Sequence, residues 1–160
     1  MISESESAVD AGAEFDPAPG SDGLGDPYYP GLGNAGYDVD RYILDLDWDP
    51  ETTTLDGIVT IEAVTTQDLS RFNLDLSGME VRSVTVDGTE AQFEREESEL
   101  TVDLPTALPE GTAFSTLIDY GGHPGRVPAL SDIDIGGWYN EGGNAFVVSE
   151  PAGSFSWHPV

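Results

Sequence analysis

An antiparallel all-β domain follows from three features of the sequence. Apolar and polar residues alternate over short runs, turn-forming residues recur at roughly ten-residue spacing, and no segment sustains a helical period. The expected architecture is a saddle-like sheet or sandwich of about seven or more short strands behind a disordered acidic tail. Residues 1–27 hold Glu4, Glu6, Asp10, Glu14, Asp16, Asp22 and Asp26 among Ser, Ala, Gly and Pro, with no base. So few apolar side chains cannot offset the entropy of ordering, which predicts a tail or linker over 1–27 and a β-domain over 28–160. The Gly/Pro-rich stretch from Pro27 to Gly36 carries Tyr28 and Tyr29 and is expected to lie ordered against that domain.

The strands follow in order. Tyr42, Leu44, Leu46 and Trp48 share one parity while Asp45, Asp47 and Asp49 share the other, a half-buried strand with an acidic outer face. Asp49-Pro50-Glu51-Thr52 marks a turn. The β-branched run from Leu55 to Val64 predicts a second strand, and Phe72, Leu74 and Leu76 alternate with Asn73 and Asp75 in a third. Val84 and Val86 lead into Asp87-Gly88, a hairpin-type dipeptide. Ala91, Phe93 and Arg95 lie on a polar strand, and Glu94, Glu96, Glu97 and Glu99 crowd the turn before Leu100, Val102 and Leu104. Pro105 and Pro109-Glu110-Gly111 are expected to break the chain before a strand from Phe114 to Tyr120. Residues 121–144 read as irregular and Gly-rich, and Phe146 to Val148 as a last short strand. The aromatic ending Trp157-His158-Pro159-Val160 reads as a domain cut short, because termini ordinarily lie solvated.

Charge and composition narrow the chemistry. The chain has 160 residues, 31 acidic against 5 basic, a net charge of −26 and no Cys. Disulfides, thiolate metal sites and cysteine nucleophiles are thereby excluded. Nucleic acid and anionic lipid would be repelled, and cations or basic proteins attracted. No apolar run approaches the roughly 20 residues of a membrane span, and Met1 to Glu6 lacks the pattern of a signal peptide. The acidic surface suits either a high-salt environment or an ordinary secreted protein.

Catalytic motifs are not found. Zinc hydrolysis requires converging ligands, commonly two His one helical turn apart. His123 and His158 stand far apart, in a Gly/Pro loop and near the last residue, so no metal site is expected. Asp45, Asp47 and Asp49 resemble the opening of a calcium loop, but Pro50 and Asp56 stand where that loop wants Gly and Glu. There is no G-x-S-x-G elbow, and Gly31-Leu32-Gly33 is no phosphate loop. A hydrolase using an unspecified carboxylate pair stays open but unsupported.

A series of blocks nevertheless resembles a family. It begins with Gly36-Tyr37-Asp38-Val39, Tyr42-x-Leu44-Asp45-Leu46 and Thr54-Leu55-x-Gly57-x-Val59-Thr60-Ile61. Phe72-Asn73-Leu74-Asp75-Leu76, Val81-x-Ser83-Val84-Thr85-Val86-Asp87-Gly88 and Glu99-Leu100-Thr101-Val102-x-Leu104-Pro105 continue it. It closes with Tyr120-x-Gly122, Gly136-Gly137-Trp138 and Ser149-Glu150-Pro151-x-Gly153-x-x-x-Trp157-x-Pro159. In this order the chain resembles the N-terminal domain of aminopeptidase N-like zinc metallopeptidases, the gluzincins, over roughly residues 25–160. The lead-in from Gly23 to Pro30 is most similar to secreted bacterial members, which implies an extracellular or cell-envelope location.

The resemblance implies a saddle-like domain ahead of a thermolysin-like catalytic domain that carries H-E-x-x-H, a distant Glu ligand and G-x-M-E-N. None of those motifs occurs here, so zinc belongs to the full-length enzyme and the chain alone is expected to be inactive. The missing catalytic domain is the implied partner, docking on an apolar patch near Trp138, Phe146 and Trp157, and peptide N-termini are the implied substrate of the whole enzyme. By resemblance Glu150 lines the pocket for the substrate's first residue. Relatives usually carry Phe where this chain has His158. A self-sufficient acidic β-sandwich for binding or adhesion is the alternative function.

Overall fold

The computed structural model describes residues 14–29, 31–127, 136–150 and 152–160. Glu4, Glu6 and Asp10 of the expected tail, residues 128–135 of the Gly-rich stretch, Pro30 and Pro151 lie outside them. Eleven strands are described: β1 (Ala18–Pro19), β2 (Tyr37–Asp49), β3 (Thr54–Thr65), β4 (Leu69–Asp75), β5 (Met79–Val86), β6 (Thr89–Glu90), β7 (Phe93–Glu96), β8 (Glu99–Leu108), β9 (Ala113–Gly122), β10 (Gly137–Glu141) and β11 (Asn144–Val148). The order β2-β3-β9-β5-β6 forms one sheet, β1-β4-β8-β7 a second, and β10-β11 a separate hairpin. All pairings are antiparallel except β1 with β4.

The inner faces of the two large sheets meet in one core. Leu55, Val59, Ile61, Val84, Ile118 and Tyr120 come from the five-stranded sheet. Phe72, Leu74, Leu100 and Val102 come from the four-stranded one. At the junction Tyr37 stands edge-on to Phe72 and Phe114 is tilted against it, with ring centroids 5.6 Å apart in each pair. Burying each such side chain contributes about 1.5–3 kcal/mol. The ion pairs Arg41–Glu62, Arg71–Asp103 and Arg82–Asp119 are exposed, and each such pair is worth about 0–1 kcal/mol. Apolar burial therefore decides the fold.

Two register shifts keep the apolar residues inward. In β2 the inward set changes from Tyr37 and Val39 to Tyr42, Leu44, Leu46 and Trp48, and the pairing with β3 shifts between Val39 and Arg41. In β5 it changes from Met79 and Val81 to Val84 and Val86, with a shift between Val81 and Ser83. In each case the extra residue, Asp40 or Arg82, reverses parity as a β-bulge must.

Several details depart from the sequence expectation. β8 continues through Pro105 to Leu108, because Pro105 sits in the irregular stretch where the pairing jumps from Arg71↔Asp103 to Leu69↔Leu108. The stretch read as irregular contains β10, paired residue for residue with β11 across Gly142-Gly143, both at positive φ. That double-Gly turn was the available signal for a hairpin. Residues at the end of the expected tail also touch the domain: the Gly20 N–H donates to the Arg71 carbonyl at 2.8 Å and the Ala35 N–H to the Ser21 carbonyl at 3.0 Å. As expected, Asp87-Gly88 turns the β5-β6 hairpin, with both residues at positive φ.

Gly57 has a packing role. It pairs with Tyr120, whose ring crosses it so closely that an added Cβ would lie 2.5 Å from the ring's Cζ. Gly57→Val should therefore cost about 1–3 kcal/mol through overpacking, read as a lowered denaturation midpoint. An unchanged midpoint would show that Tyr120 can move aside. Arg95 acts differently, since its guanidinium donates to the backbone carbonyls of Leu76 and Met79 and caps the β4-β5 turn. Arg95→Met should destabilise by about 1–3 kcal/mol, because those acceptors lose their charged donor; chemical denaturation measures it.

Candidate functional site

β2 is an edge strand whose inward residues are incompletely covered. Tyr42 and Leu46 remain exposed, and Leu44 and Trp48 are half-buried. What cover they have comes from the β10-β11 hairpin and the closing segment around the 3-10 turn Ser154–Ser156. An aromatic seam results. Trp48 lies 5.1 Å from Trp138 between ring centroids, Trp138 lies 6.1 Å from Trp157, Trp157 lies 4.2 Å from His158, and His158 lies 5.7 Å from Tyr42. The indole N–H groups of Trp48 and Trp157 are buried without an acceptor among the described residues. The opposite face of the hairpin stacks Tyr139 on Phe146 at 4.9 Å, with Arg126 over the Tyr139 ring. Phe146 and Val147 are 49% and 41% exposed. Of the three aromatics expected in an apolar patch, Phe146 is exposed, while Trp138 and Trp157 are half-buried against each other.

A cleft of about 400 Å³ opens beside this seam. It is lined by Leu32 and Asn34 of the lead-in, Tyr37 and Tyr42 of β2, and Ser149 and Ala152 after β11. Glu150 lies between those last two in sequence, is exposed, and does not itself line the cleft. Asp75 closes the cleft's inner end, where its backbone exchanges hydrogen bonds with Val160 at 2.8 and 3.0 Å. Asp75 also stands in register with Glu99 on the neighbouring strand. The alternation places Asp75 on a strand and Glu99 in a crowded acidic turn, and only the pairing of β4 with β8 brings the two residues opposite each other.

The histidines are separately engaged. Nδ1 of His123 lies 3.0 Å from the Thr53 carbonyl. His158 is buried, with Nδ1 2.9 Å from the Pro159 carbonyl, and burial pushes its pKa below the ordinary 6.5. Among the described residues no three His, Cys, Asp or Glu side chains converge as metal ligands. The donor set does not fit a catalytic zinc. Asp49, the third acid of the calcium-like run, accepts from the Glu51 and Thr52 backbone and the Thr52 hydroxyl, so it caps a turn. Asp45 and Asp47 lie on the sheet's outer face near Arg82, which bridges Asp56 and Asp119. No helix is long and apolar enough to cross a membrane among the described residues.

No protein-family model matches the chain, and no curated protein does. Solved structures do. The M1 zinc metallopeptidase from Deinococcus radiodurans aligns with a TM-score of 0.77 and 32% identity over 86% of this chain. A form of the same enzyme bound to the substrate Tyr-Ser-Ala aligns with a TM-score of 0.78. Yeast LTA4 hydrolase in complex with bestatin shares the fold, with a TM-score of 0.58 and 22% identity over 78% of this chain and 20% of its own. Such matches define an all-β domain of the kind present in zinc metallopeptidases. The chain is similar to M1 zinc metallopeptidases over most of its length, and its all-β architecture is consistent with the N-terminal domain of an aminopeptidase N-like enzyme. It spans 32% of the length of the Deinococcus enzyme.

His158 gives a pH test of the seam. The depressed folded pKa means that the unfolded chain binds the proton more readily, so this contribution is complete above 6.5 and is lost as pH falls from there through the folded value. His158→Phe should flatten that acid-side loss in a denaturation series. An unaltered pH profile would show that His158 titrates freely.

Proposed function

We propose that this chain is the non-catalytic N-terminal domain of a zinc-dependent aminopeptidase of the secreted bacterial type. The seam and hairpin pack against the catalytic domain, and Glu150 contributes to the pocket for the substrate's N-terminal residue. The observation that carries this reading is the under-covered aromatic surface beside the Ser149–Gly153 block, on a fold shared with an M1 peptidase at 32% identity. Exposed Val147 on the seam side of the hairpin and exposed Phe146 on its other side, together with half-buried Trp138 and Trp157, are apolar groups that a second domain would cover.

The chemistry divides between domains. Zinc in the catalytic domain would supply Lewis-acid activation of water and of the scissile carbonyl. In this chain, Glu150 offers a carboxylate to the α-ammonium of a peptide, and the surrounding negative field favours cationic N-termini over neutral or blocked ones.

Two measurements test the reading. The isolated chain should release no amino acid from peptides with or without added zinc, and metal-dependent release from a pure sample would overturn it. In the whole peptidase, Glu150→Ala should raise KM for free-amino peptides by about tenfold or more, as expected for loss of a charged hydrogen bond. Unchanged KM and kcat would remove Glu150 from the substrate pocket while leaving the domain assignment intact.

A further inference from the structure

The inner end of the cleft holds a group of acidic and amide oxygens short of donors. Asp75, only 9% exposed, and Glu99 are directly opposed across β4 and β8. Residues so opposed have Cβ atoms about 4.5–5.5 Å apart, close enough for two like charges to repel strongly when shielded from water. Oε1 of Glu99 is buried without any hydrogen-bond partner, and so is Oδ1 of Asn34. The Asn34 amide N–H contacts Asp75 only at 3.4 Å. One carboxylate oxygen of the pair and one neighbouring amide oxygen are therefore buried without a donor.

The groups packed around the pair do not supply that donor. The lead-in contributes Asn34 and Asp22, and Asp22 adds negative charge. From β2 come the phenols of Tyr37 and Tyr42; that of Tyr37 donates to the Asn73 carbonyl at 2.6 Å. On β7, Glu96 stands in register with Glu99, and Arg95 donates to backbone carbonyls at Leu76, Met79 and Glu97. The closing segment brings the Val160 backbone and, two residues earlier, His158, which burial keeps neutral. A proton on the pair resolves both problems at once, because a carboxylic O–H removes one charge and supplies one donor.

We propose that the opposed carboxylates of Asp75 and Glu99 form a proton-operated latch that holds the lead-in, residues 20–29 and 31–36, against the domain as one wall of the cleft. Three pieces of chain meet at this point: the lead-in through Asn34, the closing segment through Val160, and the paired ends of β4 and β8. With one proton on the pair, the lead-in is docked. When both carboxylates ionise, their repulsion and that of Asp22 act on the contact that holds Asn34, and the cleft wall is released. The latch belongs to this chain alone and does not depend on the peptidase reading.

Burial raises Glu99 from 4.5 to about 7, with Asp75 and Asp22 adding to the effect, and burial raises Asp75 as well. The sign is opposite to that of a salt-bridged carboxylate. The docked form binds the proton more tightly, so docking is fully favoured below 4.5, weakens as pH rises, and levels off above about 7. One proton limits the change in the opening constant to about tenfold per pH unit.

Hydrogen exchange on the whole chain, corrected for intrinsic rate, tests the latch across this range. Protection of the Gly20 and Thr66 amides, which bond across the boundary between lead-in and domain, should fall between 4.5 and about 7, while amides in β3 and β9 paired within the sheet hold theirs. Glu99→Gln, which keeps a donor at every pH, should hold the lead-in protected throughout, and Asp75→Asn should do the same if Glu99→Gln fails to fold. A Glu99 carboxyl that titrates near 4.5 by NMR in the unaltered chain would overturn the proposal without any variant. So would the same pH dependence in Glu99→Gln, or an equal loss of protection across the core. Restoration of protection at high pH by millimolar calcium in the unaltered chain but not in Glu99→Gln would also overturn it, by making the occupant a cation and not a proton.

Discussion

Everything in this domain depends on keeping the apolar residues of β2, β3, β9 and β5 on one side of a single sheet. Side chains alternate along a strand, so one unpaired residue would turn the rest of a strand inside out. The sequences of β2 and β5 change the parity of their apolar residues, and the structure inserts Asp40 and Arg82 at those two places. The residues before and after each bulge therefore reach the same core. Arg82 has a second effect there, since the bulge sets its guanidinium between Asp56 and Asp119 on the outer face. With β9 and β3 thus in phase, the ring of Tyr120 has room only over a residue without Cβ, and Gly57 provides it.

The same phasing creates the candidate site. β2 lies at the sheet edge, and its inward residues from Tyr42 to Trp48 are only partly covered. Trp48 and Tyr42 then need other cover, which the β10-β11 hairpin and the closing segment provide in part through Trp138, Trp157 and His158. Partial cover leaves an apolar surface that suits a neighbouring domain, whereas a fully closed core would leave nothing to dock. The cleft arises where the lead-in crosses the exposed end of this arrangement.

Charge acts on a smaller scale than burial but sets the conditions. The net charge of −26 is spread over outward faces and turns, where water and salt weaken repulsion. The exception is the Asp75–Glu99 pair, which is shielded and lacks a basic partner. Two ionisable groups near the cleft are thus held neutral by burial, His158 against acid and Glu99 against base. Their contributions change with pH in opposite directions, that of His158 complete only above 6.5 and that of Glu99 only below 4.5, so no single pH gives both in full.

Alternation, turn pairs and composition were sufficient to define the all-β class, the strand from Leu55 to Val64, the Asp87-Gly88 hairpin and the family resemblance. These are local properties, set by which side chains can face a core and which backbones can turn. The continuation of β8 through Pro105 was not legible, because a proline is tolerated only where a long-range register jump leaves its nitrogen unpaired. The β10-β11 hairpin was hidden because Gly-rich flanks masked a five-residue pairing. Glu150 was named only through the family resemblance. The partners of Trp48, and the meeting of Asp75 with Glu99 and Asn34, are contacts between residues distant in sequence. Strand order and register decide such contacts, and those follow from the closing of two sheets on one core, which no local pattern encodes.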